Sequence, residues 1–160
     1  MAFGKIRDDE VLSPQELRIK AMNLLARREH AVAELQQKLI AKGHPRNSVE
    51  QVVNALQQEG LVDDARFTEA YVRYRSERGY GPVRIQAELR EKGVDEEVQA
   101  NFLDRRATDW LERGAQVRIK RFGDEAPADF QEKARQMRFL QYRGFTADQA
   151  SSVLDGLSEN

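Results

Sequence analysis

One spacing constrains this chain more than any other. A Leu stands four residues before a Gly in three places, Leu39/Gly43, Leu89/Gly93 and Leu140/Gly144, and the three glycines are 50 and 51 residues apart. The surrounding segments align as AELQQKLIAKGH, IQAELREKGV and ARQMRFLQYRGF, and a basic residue, Lys42, Lys92 or Arg143, precedes each Gly. An α-helix ends in this way when Gly takes a left-handed cap and a cation meets the negative end of the helix dipole. A recurrence near 50 residues marks a repeat protein, and a unit of that size buries too little apolar surface to stand alone. Three stacked units follow, forming an elongated, curved array.

The 3.6-residue period finds three helices in each unit. In the first, Ser13-Pro14-Gln15-Glu16 is a capping box with Pro at the first helical position, followed by the stripe Leu17, Ala21, Leu24, Leu25. Leu35 and Leu39 mark the second helix, and Val49, Val52, Val53 and Leu56 the third. In the middle unit Asp63 caps a helix whose stripe is Phe67, Ala70, Tyr71 and Tyr74, with Val62 stapled to Phe67. Gly79 stops that helix, Gly81-Pro82 opens the next with Ile85 and Leu89, and Asp95 caps a third with Val98 and Phe102. The last unit has a long helix around Trp110, Gly114 and Val117 ending at Gly123, a middle helix with Met137 and Leu140, and a capping box Thr146-Ala147-Asp148-Gln149 ahead of Ala150, Val153, Leu154 and Leu157. The expected fold is all-α, three tandem three-helix repeats over 13–62, 63–104 and 105–157. Residues 1–12 and 158–160 lack periodicity and read as a disordered segment and a tail.

Composition supports the class and removes others. Ala, Leu, Gln, Glu, Lys and Arg far outnumber Val, Ile and Thr. No apolar run approaches the ~20 residues that span a bilayer, and the first dozen residues hold no stretch of signal-peptide length, so a cytoplasmic monomer is expected. With 26 Lys plus Arg against 27 Asp plus Glu, the net charge is −1. Domains held on nucleic acid mainly by counterion release are strongly basic, so a protein partner is at least as well favoured as DNA.

Catalytic constellations are sparse. There is no Cys and there are two His; His30 and Glu34 lie four apart and read as a solvent-exposed polar contact. Gly79-Tyr80-Gly81 is followed by Pro82, which removes an amide a phosphate cradle would use, so it reads as a structural turn between helices. No enzyme activity, metal or cofactor is expected. Charge, however, is uneven: Ser13 to Gly43 is net +3, Val94 to Glu112 net −4, and Arg113 to Phe122 net +4. The partner-binding candidates are Arg27, Arg28, Lys38 and Lys42 in the first unit and Arg113, Arg118, Lys120 and Arg121 in the third. In the middle unit, Arg66, Arg73 and Arg84 are the alternative, within a basic and aromatic stretch that also holds Arg75, Arg78, Tyr74 and Tyr80.

Two kinds of segment carry a family resemblance. GLVDDARFTEAYVRYRSERGYGPVRIQAELREKGV, Gly60 to Val94, resembles the signature of the RecX family, regulators of the RecA recombinase: a G-[YL]-[LIV]-D-D-x-R-F entry, a G-Y-G-P turn, then I-x-x-E-L-x-x-K-G. LLARREHAVAELQQKL resembles the family's first repeat and RFLQYRGFTADQ its last, so the resemblance covers roughly residues 15 to 157. Ala31 departs from it, standing where the family has a capping Ser, so the cap is expected to be lost or passed to His30 or Glu29. The resemblance implies a non-enzymatic protein that binds RecA filaments on single-stranded DNA and inhibits their ATPase, strand-exchange and co-protease activities, modulating recombination and the SOS response. Weak direct contact with DNA stays open. A helix-turn-helix DNA-binding regulator and a helical-repeat scaffold are the rival readings; the helices at 45–58 and 95–103 are neutral to acidic, against the first.

Overall fold

The computed structural model describes residues 11–157, so positions 1–10 of the expected N-terminal segment and the 158–160 tail lie outside the described residues. Among the described residues there are nine α-helices and no strand: α1 (Pro14–Arg27), α2 (Val32–Ala41), α3 (Arg46–Gln58), α4 (Asp64–Glu77), α5 (Pro82–Glu91), α6 (Glu96–Phe102), α7 (Asp109–Phe122), α8 (Phe130–Tyr142) and α9 (Ala147–Asp155). All three glycines of the repeated spacing take the left-handed conformation, with φ of 99°, 80° and 103° at Gly43, Gly93 and Gly144. Caps form at three of the places the sequence marks, with the Ser13 box only half made and no capping bond from Asp95 among the described residues. Ser13 accepts from the Glu16 amide, Asp63 from the Arg66 amide, and Thr146 and Gln149 complete a reciprocal capping box.

The helices cluster into two compact units: the described residues up to Ala70 with Arg90–Val98, and Tyr71–Leu89 with residues from Gln99 onward. In the first, α1, α2 and α3 bury Leu17, Ala21, Leu35, Leu39, Val49, Val53 and Leu56, with Leu24 and Leu25 packed half-buried against them. The cap missing at Ala31 is supplied from a distance. The Asp64 carboxylate, at the start of α4, accepts from the Val32 amide at 2.8 Å, while Glu34 reaches back to the Ala31 amide at 3.3 Å. Neither His30 nor Glu29 takes the role, because the His30 ring points inward: it is 1% exposed. Its Nδ1 donates to the Arg28 carbonyl at 3.0 Å and its Nε2 accepts from Lys38 Nζ at 3.0 Å, which requires a neutral imidazole. The expected exposed contact is therefore a buried one. Glu34 is clasped by the Arg28 fork and by Lys92 at 2.8 Å. Burial pushes its carboxyl up, but the hydrogen bonds from Arg28 and Lys92 outweigh it and hold the pKa down at about 2.

In the second unit α7, α8 and α9 pack around Leu140, Phe145, Ala150, Val153 and Leu154. Trp110 meets Phe145 edge to face at 6.5 Å between centroids and donates its Nε1–H to the Asp104 carbonyl. Gly114 lets α7 lie close on α9: a Cβ there would sit 3.2 Å from Val153.

Candidate functional site

The site is built outward from the turn that joins α4 to α5. Gly79, at φ +90°, ends α4, and the Gly81 and Val83 amides donate to the carbonyls of Arg143 and Gly144 at 2.8 and 2.9 Å. This turn and the α8–α9 turn thus touch backbone to backbone, as close as two glycines permit: a Cβ on Gly81 would fall 2.4 Å from the Gly144 carbonyl carbon. The expected structural turn is structural through this contact. Tyr80 is fixed between, with the guanidinium carbons of Arg75, Arg84 and Arg143 at 3.7, 4.6 and 5.1 Å from its ring centroid. Glu88 orders two of them, accepting from Arg75 Nη2 at 2.6 Å, from Arg84 Nε at 3.3 Å and from the Tyr71 hydroxyl at 2.5 Å. Burial raises the Glu88 carboxyl, but these hydrogen bonds prevail and its pKa lies below the usual value.

Beside this cluster runs an open groove of ≈ 680 Å³, walled by the end of α4 with its turn, by α7 and by α8. Its cations are Arg75, Arg78, Arg113, Lys120, Arg121 and Arg143, and its one carboxylate is Glu77. Arg75 is paired with Glu88; the other five have no carboxylate partner among the described residues. Elsewhere the protein pairs its cations readily, as in Arg18–Glu59, Arg66–Glu29, Arg90–Glu96 and Lys133–Asp155. No carboxylate or histidine in the groove offers a base beside a nucleophile, and among the described residues no group of three His, Asp or Glu converges on a metal position. The arrangement can hold an anion.

The sequence candidates divide sharply. Arg113, Lys120 and Arg121 line the groove, and Arg84 stands behind it on Tyr80. Arg118, expected as a surface cation, is 1% exposed. Its Nε donates to Gln136 Oε1 at 2.9 Å, and its two Nη groups donate to the carbonyls of Gly123 and Glu125, so it pins the loop after α7. Desolvation lowers its pKa. In the first unit Arg28 clasps Glu34, Lys38 is turned onto His30, and Arg66 holds Glu29 and the Gly60 carbonyl; Arg27 and Lys42 are exposed. Arg73 is exposed on α4. So are Ala70 and Tyr74, which the periodicity put in a core stripe: α4 instead buries Phe67, Thr68 and Ser76, and Arg78 lies over the Tyr74 ring. Arg143 was legible only as a helix-terminal cation, and Arg75 and Arg78 as members of a mixed stretch, because their convergence is tertiary.

Comparison with known proteins agrees along the chain. Residues 18–56, 63–103 and 107–154 match the models of the first, second and third three-helix domains of RecX. The chain is 48% identical over 146 residues to Regulatory protein RecX of Halorhodospira halophila, covering 91% of each, and 40% identical over 144 residues to that of Pseudomonas entomophila, covering 90% of this chain and 93% of the relative. The crystal structure of RecX from Lactobacillus salivarius superimposes with a TM-score of 0.76 over 92% of this chain and 97% of that one, at 20% identity, and so has the same fold. On three consecutive domain matches and full-length relatives of this similarity, the chain belongs to the RecX family.

Proposed function

We propose that this protein is a non-enzymatic regulator of the RecA recombinase, binding RecA filaments on single-stranded DNA and inhibiting their ATP hydrolysis, strand exchange and co-protease activity. Recombination and the SOS response are then the processes it modulates, in the cytoplasm and as a monomer. Membership of a family whose relatives bear the name regulatory protein carries the reading. The groove adds a physical means of attachment, because unpaired cations held on rigid helices meet an anionic surface without first giving up partners of their own. The functional units we assign are 13–62, 63–104 and 105–157. A regulator of this kind must bind one filament state better than another, since equal affinity for both shifts nothing. The test is DNA-dependent ATP hydrolysis by RecA, measured as this protein is titrated in: the rate should fall to a low plateau. A rate unchanged at saturating protein would overturn the proposal.

A further inference from the structure

We propose that the loop between α7 and α8, with Phe130 at its end, is a docking peg for the recombinase protomer, where it meets an apolar pocket rimmed by cations. The proposal rests on the filament reading and adds to it the part of this chain that grips protein.

Phe130 is the first residue of α8 and is 83% exposed. A lone apolar side chain on a surface calls for no explanation, but this one stands on a fixed mount. The buried Arg118 donates to the carbonyls of Gly123 and Glu125, which ties the loop to α7. At the other end Asp129 accepts from the Glu132 amide at 2.8 Å and caps α8. Pro127, between the two, fixes its own φ. Tyr142, 76% exposed, differs in having a partner already: the Arg84 guanidinium lies over its ring at 5.5 Å. An aromatic side chain on an ordered backbone loses little freedom when it is buried by a partner, and such residues anchor interfaces.

Charge selects the partner. Residues 122–132 hold Asp124, Glu125, Asp129 and Glu132 and neither Lys nor Arg. Phosphate chains and anionic lipid surfaces are repelled by that collar, and a cation-rimmed protein surface is attracted. The basic groove meets α8 at its far end: Phe130 and Arg143 are 13 residues apart, about 20 Å along the helix. The second unit thus offers carboxylates around an aromatic ring at one end of α8 and cations at the other. A nucleoprotein filament offers the matching pair, because the protein that holds a phosphate chain is itself cationic there.

The experiment measures binding of the full-length protein, labelled at its amino terminus, to RecA filaments assembled on oligothymidylate with a slowly hydrolysed ATP analogue. Phe130→Ser should weaken binding about tenfold. Glu125→Lys should weaken it about threefold, with the loss shrinking as salt is raised. Both side chains are exposed, so thermal melting should match wild type. Ile19→Ser removes another exposed apolar side chain, on α1, and should bind within about twofold of wild type. On the oligothymidylate without recombinase, Phe130→Ser should behave as wild type does. Filament binding by Phe130→Ser equal to wild type, an equal loss in Ile19→Ser, or tighter binding by Glu125→Lys would each overturn the proposal. So would a loss by Phe130→Ser on the bare oligonucleotide, which assigns the ring to bases, or self-association of wild type in sedimentation that Phe130→Ser abolishes, which assigns it to a second copy. Failure of wild type to bind filaments defeats the filament reading and the peg together, whereas wild-type binding that Phe130→Ser leaves undiminished defeats the peg alone.

Discussion

Arg118 shows how far a charged residue's role is set by its surroundings. It lies in the most basic segment of the chain, yet its side chain is spent on Gln136 and on the carbonyls of Gly123 and Glu125. Removing it leaves the buried Gln136 side chain without that partner, at about 1–3 kcal/mol, and frees the loop carbonyls of Gly123 and Glu125, which belong to exposed residues. Arg118→Ala is expected to lower stability by about 3 kcal/mol in urea unfolding, and Arg118→Lys to recover little, because one ammonium cannot span three acceptors divided between α8 and the loop. Stability equal to wild type in Arg118→Ala would refute the loop-pinning role. Nothing in the local sequence announced this burial: Arg118 sits between Val117 and Ile119 in a helix whose exposed face also carries Lys120 and Arg121. The long-range cap behaves alike. Asp64 caps α2 from 32 residues away, so Asp64→Ala should cost about 1 kcal/mol, as a local cap would. A reading confined to neighbours finds the missing Ser at Ala31 and has no way to find its substitute.

At the scale of elements, the repeated Leu-to-Gly spacing was legible because a helix end is a local event, fixed by one left-handed residue and the Leu one turn before it. What two such ends do to each other was not. The α4–α5 and α8–α9 turns share a contact in which neither Gly81 nor Gly144 has room for a methyl group: a Cβ on Gly144 would lie 2.4 Å from the Arg84 Cβ and 2.8 Å from its backbone nitrogen. Gly81→Ala and Gly144→Ala are therefore expected to lower the melting temperature strongly and to disorder Tyr80, losing at least 3 kcal/mol, the scale of severe overpacking. Gly123 is the useful contrast. It also has positive φ, 87°, with ψ −178°, but open space around it, so Gly123→Ala should cost only the strain of that backbone conformation, about 1–3 kcal/mol. Comparable melting temperatures for Gly123→Ala and Gly144→Ala would show that backbone conformation alone, and not the junction, sets the loss. The groove cations were unreadable for the same reason as the junction: Arg78 and Arg143 stand just past the ends of α4 and α8 and Arg113 on α7, and only the packing of α7 and α8 with the end of α4 brings them together.

For the whole molecule, the response to acid begins in the first unit, which holds both histidines, and Glu88 of the second unit, a carboxyl held below its usual pKa, joins it at lower pH. Burial lowers the pKa of His30, with Arg28 and Lys38 opposing its proton and Glu34 favouring it; His44 is lowered by burial and by Lys20 and Lys42. A histidine depressed in the folded state takes up its proton first in the unfolded chain, so stability falls as pH drops below about 6.5 and levels off below the folded value. Glu34, at about 2 when folded against 4.5, extends the loss from pH 4.5 downward, while Asp64, raised by burial, opposes it in part. The urea midpoint should thus be steady above pH 7, decline towards pH 5 and decline further towards pH 3. His30→Gln should flatten the first decline. A wild-type midpoint unchanged between pH 7.5 and 5 would contradict the buried, neutral imidazole. The first unit also has an order of assembly. Its chain departs at Ala70 and returns at Arg90, and Lys92, which closes on Glu34, follows it by 58 residues. At about 5–20 residues per second, a ribosome takes about 3–12 s to cover that interval. A nascent chain therefore waits with Glu34 held by Arg28 alone, and a stop codon in the second repeat before Lys92 leaves Glu34 permanently without its second cation.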